Sequence, residues 1–383
     1  MPSVLTIAGY VSLSLAAGYA AVTVIAVLVW RLRKGTKPAR ERPPITLLKP
    51  LCGAEPGLYE HLRSFCLQDY PEFQIVFGVR DRGDPACGVV QRLAAEFPAI
   101  PIELVVNPKL YGSNWKISNL INMISSARHD VLVMADSDAF VGSDYLGCVT
   151  APLLDRNVGL VTCIYRGVPT PNLWSRLGAM YINEWYIPSV LLAWLFGHDG
   201  YVSGQTICMR RDTLEAIGGL RPLVNHLADD YELGALVRRL GQRIVLSPYM
   251  VQGEHHEPSF DSLTRHELRW MRTIRVLRPG SFCLIFVSFG LPLATFGLVA
   301  ASAGSAPSWA AWALFGTTLG ARLVLHFSHR IRDDRGRLSD LWLVPLRDAL
   351  VAWVWCRSFF TSHVTWRGNE FDVGADGVMR PLS

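Results

Sequence analysis

Three hydrophobic patterns follow one another along the chain. From Val4 to Trp30 there is no charged residue, a run long enough to cross a ~30 Å hydrocarbon core with some tilt. It exceeds a signal-peptide core and has no basic segment before it, so it reads as an uncleaved anchor. From Ile45 to about Val158 short apolar runs alternate with helical stretches. Ile45–Leu48, Gln74–Val79, Ile102–Val106 and Val131–Ala135 read as strands, and Leu58–Leu67, Pro85–Phe97 and Lys116–Ser125 as helices. That alternation predicts an α/β domain with parallel pairing in a Rossmann-like sheet. Beyond Arg278-Pro279-Gly280 the pattern becomes apolar again. Phe282–Ala301 and Trp309–Phe327 read as two spans, while Leu341–Phe360 is interrupted by Arg347, Asp348 and Arg357. Ionisable groups at that depth must be paired or face protein, so this segment is re-entrant or packs beside the catalytic domain.

The strand Val131–Ala135 suits burial on both faces, and it stops at Asp136-Ser137-Asp138. Side chains at the carboxyl end of such a strand project into the crevice where α/β sheets bind ligands. Two carboxylates one residue apart can share a divalent cation with diphosphate oxygens. The same residues also suit a helix N-cap or an acidic turn. Asp81 takes a similar place after Gln74–Val79. The loop Tyr111-Gly112-Ser113-Asn114-Trp115-Lys116 leads into a helix, and its small polar residues and lysine can hold phosphate or a base edge; Ser and Asn in such a place are more often plain caps.

Leu160–Tyr201 is aromatic and amphipathic, which suits either an entry point for a lipid or ordinary core. Tyr201–Met209 reads as a strand interrupted at Ser203-Gly204-Gln205, and Ala228-Asp229-Asp230-Tyr231 opens a helix ending before Gly241. Acids in a helix's first turn gain from the macrodipole, and one of them facing a crevice can act as a general base. Arg243–Leu246 reads as a strand, followed by the loop Glu254-His255-His256-Glu257, which offers metal-ligand side chains at a spacing that matches no metal motif. Arg265, Arg269 and Arg272 then share a helical face beside Trp270, either solvated or anion-holding.

Composition adjusts this picture in two ways. Among 383 residues half are hydrophobic and 18% charged, too apolar for a plain soluble enzyme. The net charge of +5 comes from local clusters, with no nucleic-acid-binding stripe, so no nucleic acid partner is expected. Arg31, Arg33, Lys34, Lys37, Arg40 and Arg42 directly follow the first run, and His329-Arg330-Ile331-Arg332 and Arg335-Gly336-Arg337 lie between later ones. Lys/Arg flanks mark the cytoplasmic side, so the N-terminus is expected outside and the α/β domain inside. The eight cysteines include no CxxC pair and read as reduced core residues. The expected organisation is an anchor over 1–30, a basic linker over 31–44, the catalytic domain over 45–280, membrane helices over 281–363 and a tail over 364–383.

Asp81, Asp136-Ser137-Asp138, Asp229-Asp230 and His266-x-x-Arg269-Trp270 stand in one order between an anchor and a hydrophobic tail. The series resembles that of inverting GT-A glycosyltransferases, and the chain looks most like the ceramide glucosyltransferase family, family 21. Leu47-Leu48-Lys49-Pro50-Leu51, Asp69-Tyr70-Pro71, Asp84-Pro85-Ala86, Met209-Arg210-Arg211-Asp212 and Trp366-Arg367 extend the resemblance. Ser118-Asn119-Leu120-Ile121-Asn122 and His226-Leu227-Ala228-Asp229-Asp230-Tyr231 are similar to its bacterial hopanoid-associated branch. His266 stands where the wider pattern has Gln or Arg.

The resemblance implies a UDP-sugar donor and a membrane lipid acceptor. N-acetylglucosamine on bacteriohopanetetrol is the favoured pair, with UDP-glucose and ceramide as the alternative. A processive polysaccharide synthase or a non-catalytic scaffold is more distant. It further implies Asp81 at the uridine and Mg2+ or Mn2+ between Asp136 and Asp138. Asp230 becomes the general base, flanked by Asp229, and Lys116, His266, Arg269 and Trp270 hold the nucleotide sugar. The implied setting is a phospholipid bilayer, the bacterial inner membrane, with a multi-pass chain and a cytoplasmic catalytic face.

Overall fold

The computed structural model describes residues 3–33, 41–198, 200–303, 306–328, 340–360, 363–366, 369–374 and 376–381. Lys34, Lys37, Arg40, His329–Arg332, Arg335–Arg337 and Arg367, named above, lie outside the described residues. The chain divides into two compact units. One comprises residues 34–168, 198–254 and 369–383, and the other 1–33, 169–197 and 255–368.

The first unit is built on a sheet of eight strands: β1 Ile45–Pro50, β2 Phe73–Val79, β3 Ile102–Val106, β4 Val131–Met134, β5 Ala139–Phe140, β6 Val158–Pro169, β7 Ile207–Arg210 and β8 Arg243–His255. Their order is β3-β2-β1-β4-β7-β6-β8-β5. β3, β2, β1 and β4 run parallel, as the alternating pattern predicts. The other half corrects that expectation, because β7 runs antiparallel to both β4 and β6, and β5 antiparallel to β8. The sheet is therefore mixed.

Core packing explains why the strands read as continuous apolar runs. Val131 and Val133 of β4 join a cluster with Leu47, Phe65, Ile75 and Phe77, whereas Leu132 and Met134 join another with Leu48, Val76, Ile117 and Leu120. Successive side chains of a strand point to opposite faces, so a sheet covered on both sides favours apolar residues on both, and buried polar ones such as Thr46 and Gln74 bond each other. The parallel register brings the carboxyl ends of β2, β1 and β4 to one edge. There the strands run into Arg80-Asp81, Lys49-Pro50 and Asp136–Asp138.

Two boundaries differ from the sequence reading. The strand read over Tyr201–Met209 is confined to Ile207–Arg210, and Ser203-Gly204-Gln205 forms a turn closed by a bridge between Ser203 and Thr206. β8 continues to His255, so Glu254 and His255 end a strand instead of lying in a loop.

The second unit is helical. Val4–Arg31 is the one described helix long and apolar enough by itself to cross a membrane. Its Leu13 and Ala16 pack with Ala294, Ala301 and Ala311 of later helices, the small-residue contact that lets helix backbones approach closely. The segment read as a straight span over Phe282–Ala301 is broken: Pro279–Ser288 and Gly290–Ala301 meet at 70°. Trp309–Ser328 is one continuous helix, but it buries Arg322 and His326. Leu173–Tyr181 and Ile187–Leu195 join through a π-helical turn, Ile182–Tyr186. Glu184 in that turn accepts from Arg322 Nη1 at 2.8 Å and pairs with His326 Nδ1 at 2.9 Å.

The ionisable residues that interrupt the last hydrophobic segment find partners here. Asp348 accepts from Arg322 Nε at 2.9 Å, and Arg347 makes a two-pronged pair with Glu267 at 2.7 and 2.8 Å. The Arg347 and Glu267 side chains are 1% and 0% exposed. Removing one member of so buried a pair strands the other charge, which costs about 3–5 kcal/mol, whereas replacing both by apolar residues is often neutral. Arg347→Ala is therefore expected to lower thermal stability in detergent sharply, and Arg347→Met with Glu267→Leu to recover most of the loss.

Candidate active site

The acids of the Asp136-Ser137-Asp138 turn meet residues from three other segments of the sheet unit. Lys116 opens the helix Trp115–Met123, which Asn114 caps by accepting from the Ile117 N–H at 3.0 Å. Its ammonium lies 2.6 Å from Asp136 Oδ1 and 3.6 Å from Asp229 Oδ2. Asn114 also donates through its amide to Asp229 Oδ1 at 3.3 Å and to the His226 carbonyl at 2.9 Å. One short loop thus fixes both the cation and one of the paired acids.

Asp229 and Asp230 begin the helix Asp229–Arg239, where the macrodipole favours negative charge. Asp230 Oδ2 accepts from the Gly204 N–H at 3.2 Å, and the Gly204 carbonyl accepts from the Asp136 N–H at 3.2 Å. The turn at Gly204 therefore connects the two pairs of acids. Glycine leaves room there: a Cβ would stand 2.7 Å from Lys116 Nζ and 2.8 Å from Asp136 Oδ2, so a side chain would displace one or both of them.

Burial and like charge shift the protonation of this group. Burial above all, and then the Asp229 charge, push the Asp230 carboxyl up to about 6. Burial and Asp136 likewise raise Asp138. For Lys116 burial acts downward, but Asp136, Asp229 and Asp230 outweigh it and hold the ammonium firmly charged. Lys49 behaves differently. It is fully buried, donates to the Asp136 carbonyl at 2.6 Å and sits over the Phe65 ring. Burial lowers its ammonium to about 7 against the pull of Asp138 and Asp136.

Four carboxylates thus stand against two amines, one of which is only partly charged near neutral pH. The deficit of positive charge suits a divalent cation at Asp136 and Asp138. Gln205 adds to the fit: its Nε2 donates to Asp138 Oδ1 at 2.9 Å, and its buried Oε1 has no donor among the described residues. Hard cations favour such oxygen ligands.

The structure brings together Lys116, Asp136, Asp229 and Asp230, with Asp138 joined through Gln205. Asp81 follows β2 as expected and caps its own turn by accepting from the Gly83 N–H at 2.9 Å. The Arg80 guanidinium before it lies over the Trp115 ring. His266, Arg269 and Trp270 belong to the helix Phe260–Leu277 of the other unit. There the Trp270 and His266 rings are 4.1 Å apart, and His266 Nδ1 is 2.7 Å from Glu257 Oε1. On the same helix, Arg265 is engaged with Asp261 at 2.9 Å.

Sequence reasoning missed Lys49, Asn114, Gly204 and Gln205 as site residues. A lysine within an apolar run was a visible signal for the first, and a glycine breaking a strand for the third.

The profile of Glycosyl transferase family 21 matches residues 10–379. The chain belongs to that family. It is a glycosyltransferase. Ceramide glucosyltransferase 1 of Caenorhabditis elegans is 23% identical over 372 residues, spanning 92% of this chain and 76% of the relative. A ceramide glucosyltransferase of Komagataella phaffii is 32% identical over 106 residues, 27% of this chain and 21% of that protein. Among solved structures, mannosyltransferase PcManGT from Pyrobaculum calidifontis, in complex with GDP-Man and Mn2+, superposes with a TM-score of 0.57 at 20% identity. The match covers 93% of this chain and 99% of that one, and it is a likeness of fold.

Within this glycosyltransferase the Gly204 turn offers a direct probe of the acid cluster. Gly204→Val is expected to push Lys116 away from Asp136 and to lower kcat/KM by about 100-fold, the scale of a roughly 1 Å misplacement. Steady-state kinetics together with a melting curve separate this from unfolding.

Proposed function

We propose that the Asp136, Asp138, Asp229, Asp230 and Lys116 cluster catalyses inverting transfer of a hexosyl group from a UDP-sugar to a lipid hydroxyl. The observation that carries this is Asp230: a carboxylate at a helix start, pushed up to about 6 beside Asp229. A base whose proton affinity lies near the working pH is the efficient kind. Asp230 takes the proton from the acceptor hydroxyl as that oxygen bonds to the anomeric carbon. The bond from that carbon to the diphosphate breaks on the opposite face, and UDP leaves with the electron pair.

Lys116 contributes a fixed positive charge among the acids and holds Asp136 in place. Asn114 donates to Asp229 and holds that carboxylate in the cluster. A divalent cation at Asp136 and Asp138 would supply Lewis-acid charge to the leaving diphosphate. Asp81 at the uridine, and His266, Arg269 and Trp270 at the donor, are assigned on the sequence pattern.

The relatives' names favour glucose and ceramide as donor and acceptor over N-acetylglucosamine and bacteriohopanetetrol. The second pair rests on local stretches such as Ser118–Asn122 and His226–Tyr231. Membranes carrying the protein, given UDP-glucose or UDP-N-acetylglucosamine with ceramide or bacteriohopanetetrol, distinguish the two by product mass. Glucosylceramide is expected. A singly glycosylated hopanoid redirects the substrate assignment, and a polymer, or no UDP release with any lipid, overturns single transfer to lipid.

Asp230→Asn tests the base. General acid–base catalysis contributes roughly 10²–10⁴-fold, and a loss of that order in kcat is expected with the protein still folded. Wild-type activity should rise with pH through about 6 as Asp230 ionises. Stability should move the other way. A carboxyl whose folded value is raised from 3.8 to about 6 stabilises the fold below 3.8 and loses that contribution as pH climbs through 6. Asn carries no charge to bury, so the variant should melt higher than wild type above pH 6, and the gap should narrow toward pH 4. Near wild-type transfer by folded Asp230→Asn rules out the base assignment.

A further inference from the structure

His255, Glu257 and His266 converge where β8 ends and the helix Phe260–Leu277 begins, within the helical unit. Their ligand-capable atoms all lie within 4.8 Å of one another. Glu257 Oε1 is 2.7 Å from His266 Nδ1 and 3.6 Å from His255 Nε2. His255 is 7% exposed and Glu257 2%. Among the described residues His255 Nε2 is buried with no hydrogen-bond partner, a state that is normally costly. The ring is nonetheless held in place. A Cβ at Gly178 would lie 2.2 Å from that nitrogen, so the helix beside it leaves room for the imidazole only because residue 178 is glycine.

We propose that His255 Nε2, Glu257 Oε1 and His266 Nδ1 form a binding site for a zinc-class divalent cation, separate from the acids of the sheet unit. Two imidazoles and one carboxylate are a borderline ligand set that suits zinc, with a fourth position open. Zinc–ligand bonds of about 2.0–2.2 Å in tetrahedral geometry put ligand atoms about 3.3 Å apart. The 2.7 and 3.6 Å separations of Glu257 from the two imidazoles straddle that value, and the imidazole nitrogens lie within 4.8 Å of each other, so occupancy needs small side-chain shifts that draw the two rings around one ion.

The surroundings match those of metal ligands, whose outer partners fix their orientation. Ser262 Oγ donates to the other oxygen of Glu257 at 2.5 Å, and the Glu257 N–H donates to Ser175 Oγ at 2.8 Å. Trp270 covers the His266 ring. Protonation agrees as well. Burial, with the His266 charge, pushes His255 down to about 4 and leaves its imidazole neutral, the form that binds metal. Burial acts upward on Glu257, but its bonds to His266 and Ser262 keep the carboxyl below its ordinary range. Ligation through Nδ1 leaves His266 Nε2 free for other contacts. Sequence spacing hid this site because its third ligand comes from the second turn of the following helix.

The test uses the full chain purified in detergent with a tag that contains no histidine, stripped by chelator, offered Zn2+ and desalted. About one zinc per chain is expected to remain. His255→Ala and Glu257→Gln should lower zinc affinity at least tenfold, as loss of even an outer-shell partner typically does. Asp136→Asn with Asp138→Asn should leave zinc retention unchanged. No retained zinc in wild type, equal retention in His255→Ala, or loss in the aspartate variant alone overturns the site. Should the cluster variants fail to fold, X-ray absorption of zinc-loaded wild type decides: two imidazoles in the zinc shell support the site, and a shell without imidazole overturns it.

Discussion

The sheet unit depends on one constraint: Asp136, Asp138, Asp229 and Asp230 occupy a region served by only two amines. The Lys116 ammonium answers it by reaching Asp136 and Asp229 together. Each part of the local fold serves that reach. Asn114 ends the preceding loop and starts the helix that presents Lys116, while its amide holds Asp229. Gly204 gives up a side chain so that Lys116 and Asp136 can meet, and its backbone bonds to both pairs of acids. The charge left unanswered is chemically useful. Burial above all, and then the repulsion of Asp229, leaves one carboxyl, Asp230, with a proton affinity near the working range of a base.

The reason such a cluster can form lies in the sheet. β4 is apolar at every position because Val131 and Val133 face one core and Leu132 and Met134 the other. A strand so enclosed can turn polar only beyond its end, and there Asp136 and Asp138 emerge. Lys49 shows the same geometry from the inside. It shares the face of Leu47, yet its amine reaches the end of β4 and bonds the Asp136 carbonyl. Both strands deliver their polar atoms to one edge, so backbone and side-chain charge are concentrated there.

Much of this was legible before any coordinates. Strand-by-strand alternation gave the parallel half of the sheet, and the acids singled out at Asp136, Asp138, Asp229 and Asp230 are ones that the structure gathers around Lys116 and the Gly204-Gln205 turn. The antiparallel half was not legible, because β5 and β7 are short and β6 and β8 run past their apolar segments into polar residues. Periodicity does not state strand direction, and only the pairing with β4 and β6 reveals that β7 is reversed. Gln205 was hidden for a different reason. Its role depends on a side chain crossing to Asp138 from a turn distant in sequence, and no local pattern encodes that. The bend between Pro279–Ser288 and Gly290–Ala301 was hidden as well, since hydropathy measures apolar length and is blind to a change of axis.

In the helical unit the same electrostatic logic runs toward rigidity. Arg322 bonds Glu184 and Asp348, and Arg347 bonds Glu267, each pair joining two different helical segments. With both partners present the buried charge is compensated, and a shift of either helix would separate it. Such pairs add little net stability over apolar packing, so their structural effect is to fix register. The π-helical turn at Ile182–Tyr186 fits this reading, since it carries the Glu184 carboxylate to Arg322 and His326. His255 lacks such a partner: among the described residues its buried Nε2 has no hydrogen bond. An uncompensated polar atom next to a carboxylate and a second imidazole is better explained by a ligand than by packing.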